Sequence, residues 1–259
     1  MKKNKKIFKS GLIGFTGFVG SNILQNRTFD KLYNSSSIED IRENYFDYLI
    51  CAGTPGTQWI ANKFPDKDSE SINHLVDCLN DAQINKLILI STIAVYPDPV
   101  KVDEDSPIDK SKLSPYGYNR LKLEAILQDK FELIIIRLPA LFGQGLKKNV
   151  LYDLIHQKRI DKINLKSSYQ FYNLDNLSKD IDITISNNID ILNVATEPIQ
   201  LDELIKSCFN YKINNNKNAP LRIENMLTKF GSYWNSQNNY IYSKNEILRD
   251  IRLFANSNL

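Results

Sequence analysis

The chain is poor in the residues that build covalent staples and metal sites. Its 259 residues include three cysteines, Cys51, Cys78 and Cys208, and two histidines, His74 and His156. An odd, scattered set of cysteines makes no disulfide framework and matches no zinc-ligand spacing. Each is expected to be a small core residue in a reducing, cytoplasmic setting. Neither histidine has a partner pattern, so no metal is expected. Long apolar runs are also missing, and none reaches the ~20 residues of a membrane span. Charge of one sign is scarce, with 33 Lys+Arg against 30 Asp+Glu. Part of the small lysine excess lies at Lys2, Lys3, Lys5 and Lys6, and no basic stripe with interleaved aromatics continues from it. That run reads as a solvated tail and not as a nucleic-acid arm. Lys9 and the glycines after it interrupt the apolar stretch behind the tail, which argues against a signal peptide. With 42% apolar and 24% charged residues, disorder is not expected, and the length suits one α/β unit or a large domain with a small lobe.

Glycine is present where it matters. Gly14, Gly17 and Gly20 fall in the run Gly14-Phe15-Thr16-Gly17-Phe18-Val19-Gly20, after a short apolar segment and at the start of a helical pattern. A dinucleotide pyrophosphate site asks for glycine three times: for the turn out of the strand, for approach of backbone N–H groups to phosphate, and for close helix–strand packing. The positive end of the helix then faces the anion.

Along the chain, short apolar runs alternate with helical patterns, as in a parallel sheet covered on both faces. Strands are predicted near residues 7–13, 31–33, 48–51, 87–90, 133–136 and 191–194, and helices near 18–25, 69–82, 118–128 and 176–186. Before Asp47 there is room for only a brief helix and no further full strand, so one side of the sheet is trimmed. After Val194 the pattern turns to helical segments around a polar, Asn-rich loop, with no internal repeat.

The run Leu87 to Ile90 ends at Ser91-Thr92-Ile93-Ala94-Val95-Tyr96, a hydroxyl pair at the carboxyl end of a buried strand, where open parallel sheets bind ligands. Downstream stand Ser114-Pro115-Tyr116-Gly117-Tyr118-Asn119-Arg120-Leu121-Lys122-Leu123-Glu124, then Arg137-Leu138-Pro139-Ala140-Leu141-Phe142-Gly143. Together with the glycine motif, Phe171 to Asp175 and Leu192 to Thr196, this set resembles the extended short-chain dehydrogenase/reductase superfamily. Within it the match is to the NAD-dependent epimerase/dehydratase group that acts on nucleotide sugars, and it spans most of the chain.

The resemblance implies an α/β, Rossmann-type doubly wound parallel sheet with a small carboxyl-terminal substrate lobe. Residues 1–145, completed by about 169–195, would bind NAD or NADP, and 146–168 with 196–259 would form the lobe. It further implies a tyrosine that exchanges a proton with substrate, a basic residue at i+4 on the same helical face, and a strand-end hydroxyl. Tyr116, Arg120 and Thr92 take these roles, with arginine where lysine is usual. A second register, Tyr118 with Lys122, is displaced by two residues, roughly 200° around a helix, so only one pair faces the cofactor.

Expected cofactor contacts are Gly14, Thr16, Gly17, Phe18, Val19, Gly20, Asn34, Ser35, Ala52, Gly53, Thr54, Ser91 and Pro139. No Asp, Glu or Arg stands at the end of the second strand to choose between NAD and NADP, with a slight lean to NADP. Expected substrate contacts are Tyr96, Lys147, Lys148, Asn149 and Arg222, the cations facing a diphosphate. Trp59 and Trp234 are expected to be packing residues. Ile93 and Ala94 stand where sugar dehydratases of the group carry an acidic pair, which argues against dehydration. The expected function is an epimerase or keto-sugar reductase in surface-polysaccharide precursor synthesis, and the resemblance implies a homodimer. The alternative is a dinucleotide-binding sensor or scaffold that has lost turnover.

Overall fold

The computed structural model describes residues 9–257. The lysine-rich tail and the first residues of the predicted opening strand lie outside them. Strands β1 (Ser10–Ile13), β2 (Lys31–Tyr33), β3 (Tyr48–Cys51), β4 (Leu87–Thr92), β5 (Leu133–Leu138) and β6 (Ile191–Asn193) form one sheet in the order β6-β5-β4-β3-β1-β2. Every neighbouring pair is parallel. All six residues of β5, Leu-Ile-Ile-Ile-Arg-Leu, are buried, the continuous apolar pattern of a strand covered on both faces. The order reverses between β1 and β3, and ligands bind at that switch point in open α/β sheets.

The helices are α1 (Phe18–Asn26), α2 (Gln58–Lys63), α3 (Pro65–Asn80), α4 (Pro115–Lys130), α5 (Val150–Ile155), α6 (Leu177–Ser186), α7 (Leu201–Cys208) and α8 (Lys244–Ser257). One face of the sheet packs on α3 and α4 through Ile72, Leu75, Leu79, Leu123 and Leu127. The other packs on α1 and α6 through Ile23, Leu177 and Ile181. A separate cluster, with Phe142, Leu151, Leu154, Ile199, Leu204, Ile247 and Ile251, binds α5, α7 and α8 together beyond the carboxyl ends of the strands.

Two helices begin earlier than apolar spacing alone predicts. Pro65 and Pro115 open α3 and α4, since proline costs a helix nothing in its first turn. Ser114 caps α4 by accepting from Gly117 N at 3.2 Å. The short α2 and α5 were not expected. Helix α1 starts differently: its cap is Gly17, with no side-chain cap bond and no acidic residue in its first turn.

Candidate active site

The three glycines meet three distinct steric demands. Gly14 has φ +85°, and its N–H donates to Tyr33 O at 2.7 Å, tying the turn to β2. A Cβ there would lie 2.5 Å from Ala52 O, and one on Gly20 would overlap Gly14 O. These two positions exclude any larger residue. Gly17 is less crowded, since a Cβ would meet Gly14 O at 3.2 Å and nothing else close by. Its open side leaves the first turn of α1 bare, a cradle that a side chain would fill and a phosphate fits.

That turn opens into a cleft of about 960 Å³ between the sheet and the lobe. Thr16, Phe18, Thr92 and Pro139 line it from the sheet side, and Lys147, Lys148, Asn149 and Arg222 from the lobe side. Eight of the expected contacts therefore share one space. Asn149 caps α5, accepting from Tyr152 N at 3.0 Å, while its amide donates to Leu141 O at 2.7 Å. Lys148 Nζ donates to Thr57 Oγ1 at 2.6 Å, and partial burial lowers its pKa. Arg222 Nε donates to Glu224 at 2.6 Å, but half of its side chain is exposed.

Helix α4 turns one register inward. Tyr116 and Arg120 are 6% and 3% exposed, whereas Tyr118 is 48% exposed and Lys122 is exposed on the same outer side. Gly117 is why the helix sits so close, because a Cβ on it would overlap Ala94 O, just past the end of β4. At that strand end Thr92 Oγ1 accepts from Ala94 N at 3.2 Å, so this hydroxyl caps the turn as well as facing the cleft.

The Arg120 guanidinium stacks 4.5 Å from the Tyr116 ring centroid. It is held by a feature the sequence did not reveal. Arg120 Nη1 and Nη2 donate to Asp68 at 3.0 and 2.8 Å, and Nη2 also donates to Pro55 O at 2.7 Å. Asp68, on the first turn of α3, is 6% exposed. Sequence reasoning missed Asp68 because it pairs across 52 positions of chain. The only local signal was an acidic residue near a helix start, which ordinary dipole compensation explains equally well.

Tyr96 and Ser91, like Tyr116 and Arg120, are buried and do not line the cleft. Burial leaves Tyr96 3% exposed and pushes its phenol pKa up. Its hydroxyl donates to Asp103 O at 2.8 Å and accepts from Arg137 at 2.7 Å and Asn193 at 3.0 Å. Ser91 Oγ donates to Glu124, which Arg137 grips in turn at 2.7 and 3.2 Å. These groups form a closed buried network joining β4, α4, β5 and β6, and neither hydroxyl faces the cleft.

The remaining expected contacts surround the glycine turn. Ala52 and Gly53 abut Gly14, Thr54 follows them, and Val19 packs against the core. Asn34 Oδ1 accepts from Ser36 N at 3.0 Å and Ser36 Oγ at 2.7 Å, ordering the exposed loop that includes Ser35. Asn22, also missed, ties α1 to the cleft wall by donating to Gln144 O at 2.9 Å. His74 Nε2 lies 3.3 Å from Glu39, and Arg42 donates to both Glu39 and Cys78, so a cation already sits in that cluster. Trp234 packs as expected and donates to Asp180 at 2.7 Å. Trp59 does not pack, being 65% exposed at the cleft.

Comparison with known proteins agrees with this fold. The fold matches UDP-N-acetylglucosamine 4-epimerase from Methanobrevibacter ruminantium in complex with UDP-N-acetylmuramic acid, at 14% identity and TM-score 0.72, over 97% of this chain and 99% of that one. It also matches RMD from Pseudomonas aeruginosa complexed with NADPH, at 15% identity and TM-score 0.74, over 97% and 100%. A variant of UDP-glucuronic acid 4-epimerase from Bacillus cereus, in complex with a fluorinated UDP-glucuronic acid and NAD, matches at 16% identity and TM-score 0.72, over 97% and 100%. No curated protein sequence matches. The family model for the NAD dependent epimerase/dehydratase family matches residues 30–182, more than half of the chain, and this protein belongs to that family.

Proposed function

We propose that the chain is an NAD(P)-dependent enzyme that interconverts hydroxyl and carbonyl groups on a nucleotide sugar. The observation that carries this is one continuous cleft with the glycine turn and Thr92 on one wall and Lys147, Lys148 and Arg222 on the other. Gly14, Thr16, Gly17, Phe18 and the backbone of Val19 and Gly20 would hold the pyrophosphate, with Ala52, Gly53, Thr54, Asn34, Ser35 and Pro139 along the rest of the dinucleotide. When bound, the nicotinamide supplies hydride chemistry.

Tyr116 exchanges a proton with the sugar oxygen, and Thr92 hydrogen-bonds the same atom. Arg120 bears on the Tyr116 ring and is fixed by Asp68. Its permanent charge and planar fork suit that bidentate anchor better than lysine would. Lys147, Lys148, Asn149 and Arg222 take the diphosphate. The residues near 146–168 and 196–259 serve as the substrate lobe. Without acidic groups at Ile93 and Ala94, elimination of water has no proton donor there, which leaves epimerisation or keto-sugar reduction. Exposed Tyr118 on α4 supports a homodimer through that helix.

A second reading is favoured by one observation: both Nη atoms of Arg120 are committed to Asp68 and Pro55, and neither is offered to a ribose. In that case the protein binds dinucleotide as a sensor or scaffold. Calorimetry for NAD and NADP, followed by a screen of keto- and hydroxy-sugar nucleotides with product analysis, tests both. Binding with turnover supports the enzyme, and binding with no conversion of any sugar supports the sensor. Genes for glycosyltransferases beside this one would place the product in surface-polysaccharide synthesis.

A further inference from the structure

We infer that Trp59 is the platform on which the pyranose ring of the substrate stacks, an inference that rests on the nucleotide-sugar reading above. An indole 65% exposed is unusual for so large an apolar group. Among the described residues it joins none of the four buried hydrophobic clusters. It lines the cleft together with Gln58 and Asn62 of the same helix, α2, which buries Ala61 alone.

What fixes α2 tells which part of a ligand would lie against it. At its carboxyl-terminal end, Asn62 Oδ1 accepts from Tyr116 N at 2.9 Å. At its amino-terminal end, Lys148 Nζ donates to Thr57 Oγ1 at 2.6 Å. One anchor is thus the residue proposed to act on the sugar oxygen, and the other is a cation proposed to meet the diphosphate. In a nucleotide sugar the hexose ring joins those two points, so Trp59 lies beside the ring.

The chemistry agrees. A pyranose has apolar faces of ring C–H groups and a polar rim of hydroxyls. An indole face suits the former, and the amides of Gln58 and Asn62 suit the latter. Ligand sites commonly combine an aromatic wall with a few fixed polar groups. Ile60 and Phe64, 44% and 43% exposed beside it, make contact with a second copy of the chain the competing use of this patch.

The test uses the full chain with dinucleotide present. Affinities for UDP-glucose, dTDP-glucose and GDP-mannose are compared by calorimetry with those for UDP, dTDP and GDP, in wild type, Trp59→Ala and Trp59→Phe. Indole fluorescence and sedimentation are recorded for each. The expected result is that Trp59→Ala weakens whichever sugar nucleotide binds best by about tenfold and leaves its free diphosphate unchanged. Trp59→Phe should restore most of the loss, and only the sugar nucleotide should quench wild-type fluorescence strongly. Equal weakening of both ligands, or no change in either, overturns the inference and leaves the substrate class standing. A change in association state without a change in sugar affinity overturns it in favour of a dimer contact. If no nucleotide or nucleotide sugar binds wild type, the substrate class fails and the platform fails with it.

Discussion

At the scale of single residues, two tyrosines two positions apart have opposite surroundings. Tyr116 is buried against Arg120 and Tyr118 is exposed. Removing one phenol oxygen separates chemistry from packing. General acid–base catalysis contributes about 10²–10⁴-fold, so Tyr116→Phe should lose turnover by that order while Tyr118→Phe stays near wild type, as initial rates will show. Arg120→Lys should lower both turnover and the urea midpoint, because one ammonium cannot span both Asp68 oxygens and the Pro55 carbonyl. An unchanged midpoint would mean the bidentate pair contributes nothing. Gly17→Val should fold, since its Cβ would press on one atom alone, Gly14 O at 3.2 Å, yet abolish dinucleotide binding by filling the cradle. A folded variant with wild-type affinity would remove the pyrophosphate assignment. The glycines and Tyr116 were legible in the sequence because their demands are local: a turn, a close approach, one helical face. Asp68 was not, because an ion pair across two helices leaves no spacing to read. The hydrogen bonds of Tyr96 were hidden for the same reason, its partners Arg137 and Asn193 being placed only by the assembled sheet.

At the scale of elements, the strands and the four long helices of the sheet followed from apolar runs and 3.6-residue spacing. Helix α2 did not. Its six residues, Gln58–Lys63, follow Pro55 and Gly56 and bury a single alanine, so no periodicity marks it. Its position comes from Tyr116 and Lys148, which are distant in sequence. The buried network that joins β4, α4, β5 and β6 has a measurable energetic consequence. Glu124 and Arg137 are 2% and 5% exposed, and removing one partner leaves a buried charge without compensation. Glu124→Leu should therefore cost about 3–5 kcal/mol of unfolding free energy, while Glu124→Leu with Arg137→Met should recover much of it. Denaturant curves for the two variants check this, and equal losses in both would mean the network's value lies in shape and not in charge.

At the scale of the whole molecule, a lobe with its own hydrophobic cluster faces the sheet across the cleft, with cations on the lobe side. A nucleoside diphosphate held there at 100 times its Kd should stabilise the chain by about 2.7 kcal/mol, raising Tm by roughly 5–10 °C. The gain should shrink as salt is added. No shift with any nucleoside diphosphate would turn attention to another substrate class. Among the described residues no helix is long and apolar enough to cross a membrane. The change of pattern after Val194 was visible in the sequence, but the cleft was not, since it is made by residues from seven separate stretches of chain.

The bare first turn of α1 reaches beyond catalysis. Its cap is glycine and its first turn carries no acid, so no side chain satisfies the leading amides, at a cost of only a few tenths of a kcal/mol against a Ser, Thr, Asp or Asn cap. The amide protons of Phe18, Val19 and Gly20 then report on occupancy: fast hydrogen exchange in the free chain, slow exchange once a pyrophosphate satisfies them. With a dinucleotide seated on this turn as proposed, NAD or NADP should slow cleavage of the chain in limited proteolysis, and equal cleavage with and without cofactor would place the ligand elsewhere.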